Sequence, residues 1–196
     1  FKIFCSDIEE VPLFLLDFIL EVTQIPIYEN QQALMSSTFF EELCKLRNHF
    51  FPEKKDAKYI YNLVKKSKVL DLNSQYLYLL QSTHFKNSCS VALFENQIIG
   101  FVSGYYLPNE NNTLFIWQVS VDENHRGKNL ALNLIDNIVS RKNIRYLSPS
   151  NISSQIVFEK FAKKYEANIK KSTLFFIEDF IDSHEEEVQF KIGPIK

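Results

Sequence analysis

The chain has 196 residues, 45% of them hydrophobic and 23% charged, with a formal net charge of −2. That length suits one ordinary domain with an appendage, and the near-neutral charge removes any electrostatic case for nucleic acid. Cys5, Cys44 and Cys89 stand far apart with no CxxC pair. This argues against a zinc site or a disulfide framework and suits a reducing cytoplasm. The four histidines, His49, His84, His125 and His184, are dispersed, so no metal is expected.

The stretch "VPLFLLDFILEVTQIPIY" (11–28) is apolar, but Asp17 and Glu21 interrupt it. A membrane span needs about 20 apolar residues, and no basic region precedes this one as in a secretory signal. No membrane association is expected. The chain begins with Phe1 and its only methionine is Met35, so residues 1–34 read as an upstream extension or a truncated start. The alternative is a helical segment packing on the domain or on a partner. We divide the chain into an extension over 1–47 and a domain over 48–196.

"FFEELCKL" (39–46) and "KDAKYIYNLVKKSKVLDL" (55–72) read as helices, the second with Ile60, Leu63 and Val64 at helical spacing. "SQYLYLLQSTHF" (74–85) reads as a helix capped by Ser74. In "CSVALFENQIIGFVSGYYL" (89–107), two apolar runs flank Glu95-Asn96-Gln97, the pattern of a hairpin. A strand over 114–121 and a helix over 129–142 follow. Then come a strand over 143–149, a helix over 152–165, and strands over 169–177 and 187–193. Interleaving of this kind predicts a layered α/β domain.

The strand 114–121 runs into "DENHRGKNLA" (122–131), a charged turn that opens a helix. A helix N-terminus offers unpaired backbone N–H groups and the positive end of its dipole, so an anion fits there. Gly127 would let the backbone approach phosphates closely, and Arg126 and Lys128 add charge. The bland alternative is an ordinary turn with solvated charges, because short phosphate-loop patterns also arise by chance.

The turn resembles motif A of the GNAT acetyltransferase superfamily, Q/R-x-x-G-x-G/A, as Asn124-x-x-Gly127-x-Asn129. Asn129 is tolerable because asparagine adopts positive φ more readily than most residues. "NISSQIVFEKFA" (151–162) resembles the superfamily's second motif through Asn151 and Ser154, with Phe158 in place of its tyrosine. Four further blocks, "VLDLNSQYLYLL" (69–80), "TLFIWQVSVD" (113–122), "LSPSN" (147–151) and "HEEEVQFKIGP" (184–194), resemble the L-2,4-diaminobutyrate acetyltransferase family in order and register. That family also carries Phe at the motif tyrosine position.

The resemblance implies a GNAT-type α/β fold, a mixed and splayed central sheet flanked by helices. It implies acetyl-CoA as co-substrate and a small diamine amino acid as acceptor. A cytoplasmic homodimer making the compatible solute ectoine under osmotic stress is implied as well. Val119, Ser120 and Val121 would hold the pantetheine arm, with a backbone N–H of Val119 or Ser120 on the thioester carbonyl. Arg126, Gly127, Lys128, Asn129, Leu130, Ala131, Asn151 and Phe158 would complete the cofactor site.

By the same resemblance Asp71, Asn73, Tyr76, Trp117, His184 and Glu187 form the acceptor pocket. Asp71, His184 and Glu187 are candidates for catalysis. Alkyl amines have pKa values of about 10, so the acceptor arrives protonated and a general base is expected. Each residue has a plainer reading: Asp71 and Asn73 as turn residues, Tyr76 and Trp117 as core, "HEEE" as a solvated acidic run. Two other functions stay open, a GNAT enzyme for a different amine or a protein N-terminus, and a CoA-binding module without catalysis.

Overall fold

The computed structural model describes residues 51–110, 112–142, 144–149, 155–181 and 186–195. The extension expected over 1–47, the helix expected over 39–46, Asn151 and His184 lie outside the described residues.

The first helix, α1, spans Ala57–Ser67 and buries Ala57, Ile60, Leu63 and Val64, the apolar stripe its spacing implies. It stops five residues short of the expected end. Lys68 caps it in the left-handed conformation, φ 58°, and the chain leaves as an irregular loop. The second helix, α2, spans Gln75–Gln81. Ser74 caps it as expected, its side chain accepting from the Leu77 N–H.

Strands β1 (Ser90–Phe94) and β2 (Gln97–Tyr106) form the hairpin. Phe94 pairs with Gln97, leaving Glu95 and Asn96 as a two-residue loop with φ 49° and 63°. Two consecutive positive φ values define a type I′ turn, whose twist matches that of the strands it joins. β3 (Thr113–Val121), helix α3 (Leu130–Ser140) and β4 (Tyr146–Pro149) follow. Helix α4 (Gln155–Lys164), β5 (Asn168–Phe175) and β6 (Glu187–Gly193) complete the described elements. The sheet order is β1-β2-β3-β4-β6-β5, with β3 and β4 parallel and the other pairs antiparallel. This is the mixed sheet expected.

The sheet separates two cores. Val102, Ile116, Leu134, Ile138, Phe161 and Phe190 belong to the core under α3 and α4. Ile60, Val64, Tyr78, Val91, Leu93 and Phe101 form the core under α1 and α2. An ion pair of 2.5 Å from Lys164 Nζ to Asp136 Oδ2 ties α4 to α3. Leu134 is 1% exposed at the centre of the larger core. Leu134→Ala is expected to cost about 3 kcal/mol in urea denaturation, since the surrounding side chains refill such a space only partly. A loss under about 1 kcal/mol would mean that this core collapses around the gap.

Candidate active site

The site is built on β3, which keeps its partner on one side and loses it on the other. β2 pairs with it from Leu114 to Val121, whereas β4 pairs only from Thr113 to Ile116. Beyond that point, among the described residues, β3 has no strand on its β4 side. The sheet splays there, and a ligand can lie along the open edge.

A bulge sits where the strands part. Ser103 pairs with Gln118 and Gly104 with Ile116, so Trp117 is the extra residue. Gly104 is required opposite it, because a Cβ there would lie 2.3 Å from the Phe115 carbonyl oxygen. A bulge re-aims the side chains beyond it. Ile116 packs in the α3/α4 core, yet Gln118 reaches the buried Tyr78 in the α1/α2 core.

The ladder fixes which backbone groups face the split. Asp122 N donates to the Ile99 carbonyl at 2.8 Å, so this opposed pair is hydrogen-bonded. Alternation makes Ser120–Phe101 a hydrogen-bonded pair and turns the N–H and C=O of Val119 and Val121 away from β2. The Arg126 Nε donates to the Val121 carbonyl at 3.1 Å, in keeping with that direction. Of the two backbone N–H groups expected as oxyanion donor, that of Val119 faces the open edge and that of Ser120 faces β2.

The edge opens into a cleft of ≈ 380 Å³. Val119, Ser120, Val121, Arg126, Gly127, Asn129, Leu130 and Ala131 line it, eight of the eleven expected cofactor residues. Lys128 does not line it. Phe158 is 1% exposed and packs in the core, so its role is to seat α4 rather than to touch a ligand in the cleft. Ser67, Val69, Leu70, His125, Ile156, Val157 and Lys160 also line the cleft and were not expected. The first three belong to the end of α1 and the loop that replaces the predicted helix.

The turn before α3 has the conformation a phosphate loop needs. Gly127 has φ 80° and Asn129 has φ 49°, both left-handed. Asp122 caps the short turn Glu123–His125 by accepting from Asn124 N. Burial works against the Asp122 carboxylate, but hydrogen bonds from Asn124 and His125 hold it below its ordinary range. Among the described lining residues are Arg126, Lys160 and His125, and no carboxylate. The Ser120 hydroxyl is buried and has no hydrogen-bond partner among the described residues. A cleft whose described lining is basic, with an open strand edge and a buried hydroxyl, fits an extended ligand carrying phosphates and amides.

A Cβ at position 127 would meet nothing within 4 Å, so glycine serves there for its backbone alone. Gly127→Val is expected to weaken CoA binding about tenfold by calorimetry, since a left-handed β-branched residue costs about 1–2 kcal/mol. Gly127→Asn should lose less, because asparagine enters this region more readily. Equal affinity for all three would detach the turn from phosphate binding.

On the α1/α2 side, Gln118 ties the candidate acceptor loop to the bulge. Its Nε2 donates to the Asp71 carbonyl at 2.7 Å, and its Oε1 accepts from the Tyr78 hydroxyl at 3.2 Å. Burial pushes the Tyr78 hydroxyl above its ordinary pKa, so it stays protonated as a donor. Asn73 closes the network, donating from its backbone to Tyr78 and from its side chain to the Asp71 carbonyl. The loop carrying Asp71 and Asn73 is thus tied to Gln118, the residue that follows Trp117. Trp117 is 41% and Tyr76 69% exposed, so neither is a core residue. Glu187 opens β6, half-buried, and the antiparallel run of β6 on β4 brings it to the end where β3 and β4 part. Gln118 and Tyr78 were not anticipated as anchors, although a glutamine in an apolar strand needs partners once buried.

The fold and this split, bulged strand define a CoA-dependent acyltransferase site, and sequence comparison agrees. The Acetyltransferase (GNAT) family profile matches residues 40–162, and the chain belongs to that family. Within it, the chain belongs with the L-2,4-diaminobutyric acid acetyltransferases. It is 40% identical over 152 residues to that enzyme of Marinococcus halophilus, covering 73% of this chain and 87% of the relative. It is 35% identical over 178 residues to that of Shouchella clausii, covering 87% and 96%. The solved diaminobutyrate acetyltransferase from Paenibacillus lautus, in complex with L-2,4-diaminobutyric acid and coenzyme A, superposes with a TM-score of 0.70 at 30% identity. The match covers 74% of this chain and 93% of that one. Among the described residues, no helix is long and apolar enough to cross a membrane, and no cluster of His, Cys, Asp and Glu could hold a metal.

Proposed function

We propose that this chain transfers acetyl from acetyl-CoA to the γ-nitrogen of L-2,4-diaminobutyrate, the first committed step of ectoine synthesis. The observation that carries this reading is the likeness to the Paenibacillus lautus enzyme, whose complex holds both diaminobutyrate and coenzyme A.

Acetyl-CoA supplies an activated thioester. Val119, Ser120 and Val121 hold its arm along the open edge, and Arg126, Gly127, Asn129, Leu130 and Ala131 receive its diphosphate. The Val119 N–H stabilises negative charge on the thioester oxygen as the amine attacks; the C–N bond forms, the C–S bond breaks, and CoA leaves as the thiolate. The acceptor carries two ammonium groups and one carboxylate. Asp71 and Glu187 provide negative charge for the ammonium groups, and Asn73 and Tyr76 provide polar contacts. Trp117 walls the acceptor from water at the bulge. Glu187, with His184 three residues before it, accepts the proton that the γ-ammonium must lose before attack. The reaction needs no acyl-enzyme, and Cys89 is fully buried away from the cleft.

The reading includes a homodimer in the cytoplasm. Sedimentation equilibrium is expected to give twice the chain mass, and a single-chain mass would remove the dimer from the account. CoA release with diaminobutyrate, ornithine, lysine and spermidine tests the acceptor. Turnover is expected with diaminobutyrate well above the others, and a polyamine preferred over diaminobutyrate would overturn the assignment.

A further inference from the structure

Helix α4 also lines the cleft, through Ile156, Val157 and the exposed lysine Lys160. Its Nζ donates to Asn129 Oδ1 at 2.8 Å, across 31 residues of sequence. Asn129 is the left-handed residue immediately before α3, so the ammonium is held at the mouth of that helix. We propose that Lys160 is a cofactor-binding residue, the second cation of the diphosphate subsite, reaching the phosphates from its seat on Asn129 alongside Arg126.

Three observations lead there. An amide oxygen is a neutral partner and leaves the ammonium's charge uncompensated. No carboxylate stands among the described lining residues to neutralise it. An ammonium has three donors, so Lys160 can keep its bond to Asn129 and give the other two to phosphate oxygens. One turn further along α4, the Lys164–Asp136 ion pair fixes the helix on α3 and so fixes the level at which Lys160 enters the cleft. The bond to Asn129 also steadies the left-handed residue, so a ligand meets a loop already in shape.

The proposal rests on the cleft taking CoA and not on which amine is acetylated. It is tested by calorimetric titration with CoA alone, which reads out independently of diaminobutyrate turnover. Lys160→Met is expected to weaken CoA about tenfold at low salt, with the ratio to wild type shrinking as salt screens an exposed contact. Lys160→Arg should recover most of the loss. Lys163→Met, on the exposed side of α4, should bind as wild type does, which controls for the net charge. Titration with dephospho-CoA separates the two phosphate sources. A diphosphate contact predicts the same Lys160→Met ratio with either ligand. If the ratio fell to one with dephospho-CoA, the lysine would serve the 3′-phosphate and the assignment to the diphosphate would fail. Binding of CoA by Lys160→Met within twofold of wild type would overturn the proposal outright. In Asn129→Gly the tether is absent but the charge remains. A CoA affinity there as low as in Lys160→Met would mean that the lysine acts only by steadying the loop, and this too would overturn it.

Discussion

Glu187→Gln is expected to lower kcat about a hundredfold, the scale of a positioned general base, while CoA affinity stays within about twofold of wild type. The amide keeps the size of the carboxylate and removes its charge and basicity. Glu187 is the first residue of β6. Along β6, Val188, Phe190 and Ile192 pack into the α3/α4 core. Alternation turns Glu187, Gln189 and Lys191 to the other face, and the Gln189 side chain there donates to the Ser148 hydroxyl at 2.5 Å. The acid therefore stands on the face where α1 and α2 also lie, at the splayed end of the sheet. Stopped-flow or steady-state turnover gives kcat, and calorimetry gives CoA affinity. If both fell together, Glu187 would be supporting the fold of the cleft, and its place in the acceptor pocket would be lost.

Gln118→Leu is expected to raise the KM for diaminobutyrate about tenfold or more, and the KM for acetyl-CoA much less. The substitution removes two hydrogen bonds from a side chain that is 4% exposed. The Asp71 carbonyl loses its donor and the fully buried Tyr78 hydroxyl loses its acceptor. A buried group left without a partner costs about 1–3 kcal/mol, and 1.4 kcal/mol is a factor of ten in affinity. The loop from Asp71 to Asn73 then loses its tie to the bulge. Tyr78→Phe removes only one of those bonds and should produce a smaller effect in the same direction. Steady-state kinetics with each substrate varied in turn measures both values. Equal rises in the two KM values would mean that Gln118 serves the whole cleft rather than the acceptor loop.

The parts of this protein legible in its sequence are those written in local pattern. The hairpin was readable from Glu95-Asn96-Gln97 between two apolar runs, although the turn itself is Glu95 and Asn96 alone and Gln97 already pairs in β2. Helix α2 announced its start through Ser74, and β3 through its apolar run. The turn at Gly127 and Asn129 was readable because glycine and asparagine favour the conformation found there. Helix α1 was read too long because its end depends on Lys68 in a left-handed conformation, and lysine gives no sign of that. The error matters for function, since the loop freed by it carries Val69 and Leu70 into the cleft and Asp71 to Gln118.

Long-range placement was less readable. The bulge at Trp117 follows from pairing with Gly104, a register that no local pattern displays. Without it, Trp117 on an apolar strand reads as a core ring. Tyr76 and Tyr78 are two residues apart on one helix, and only packing decides that Tyr78 is buried and Tyr76 exposed. Phe158 was read through its motif position toward the cofactor, yet its ring is sealed in the core. Lys160 escaped notice because a single lysine on an amphipathic helix looks like any solvated charge, and only the fold sets it against Asn129.

The central claim is that acetyl moves to the γ-nitrogen of diaminobutyrate. Mass spectrometry of the product, with fragmentation or nuclear magnetic resonance to locate the acetyl group, tests it most directly. The account predicts one acetyl on diaminobutyrate, at the γ-nitrogen, with stoichiometric release of CoA. Acetylation at the α-nitrogen, or no acetylated diaminobutyrate while another amine is consumed, would contradict it.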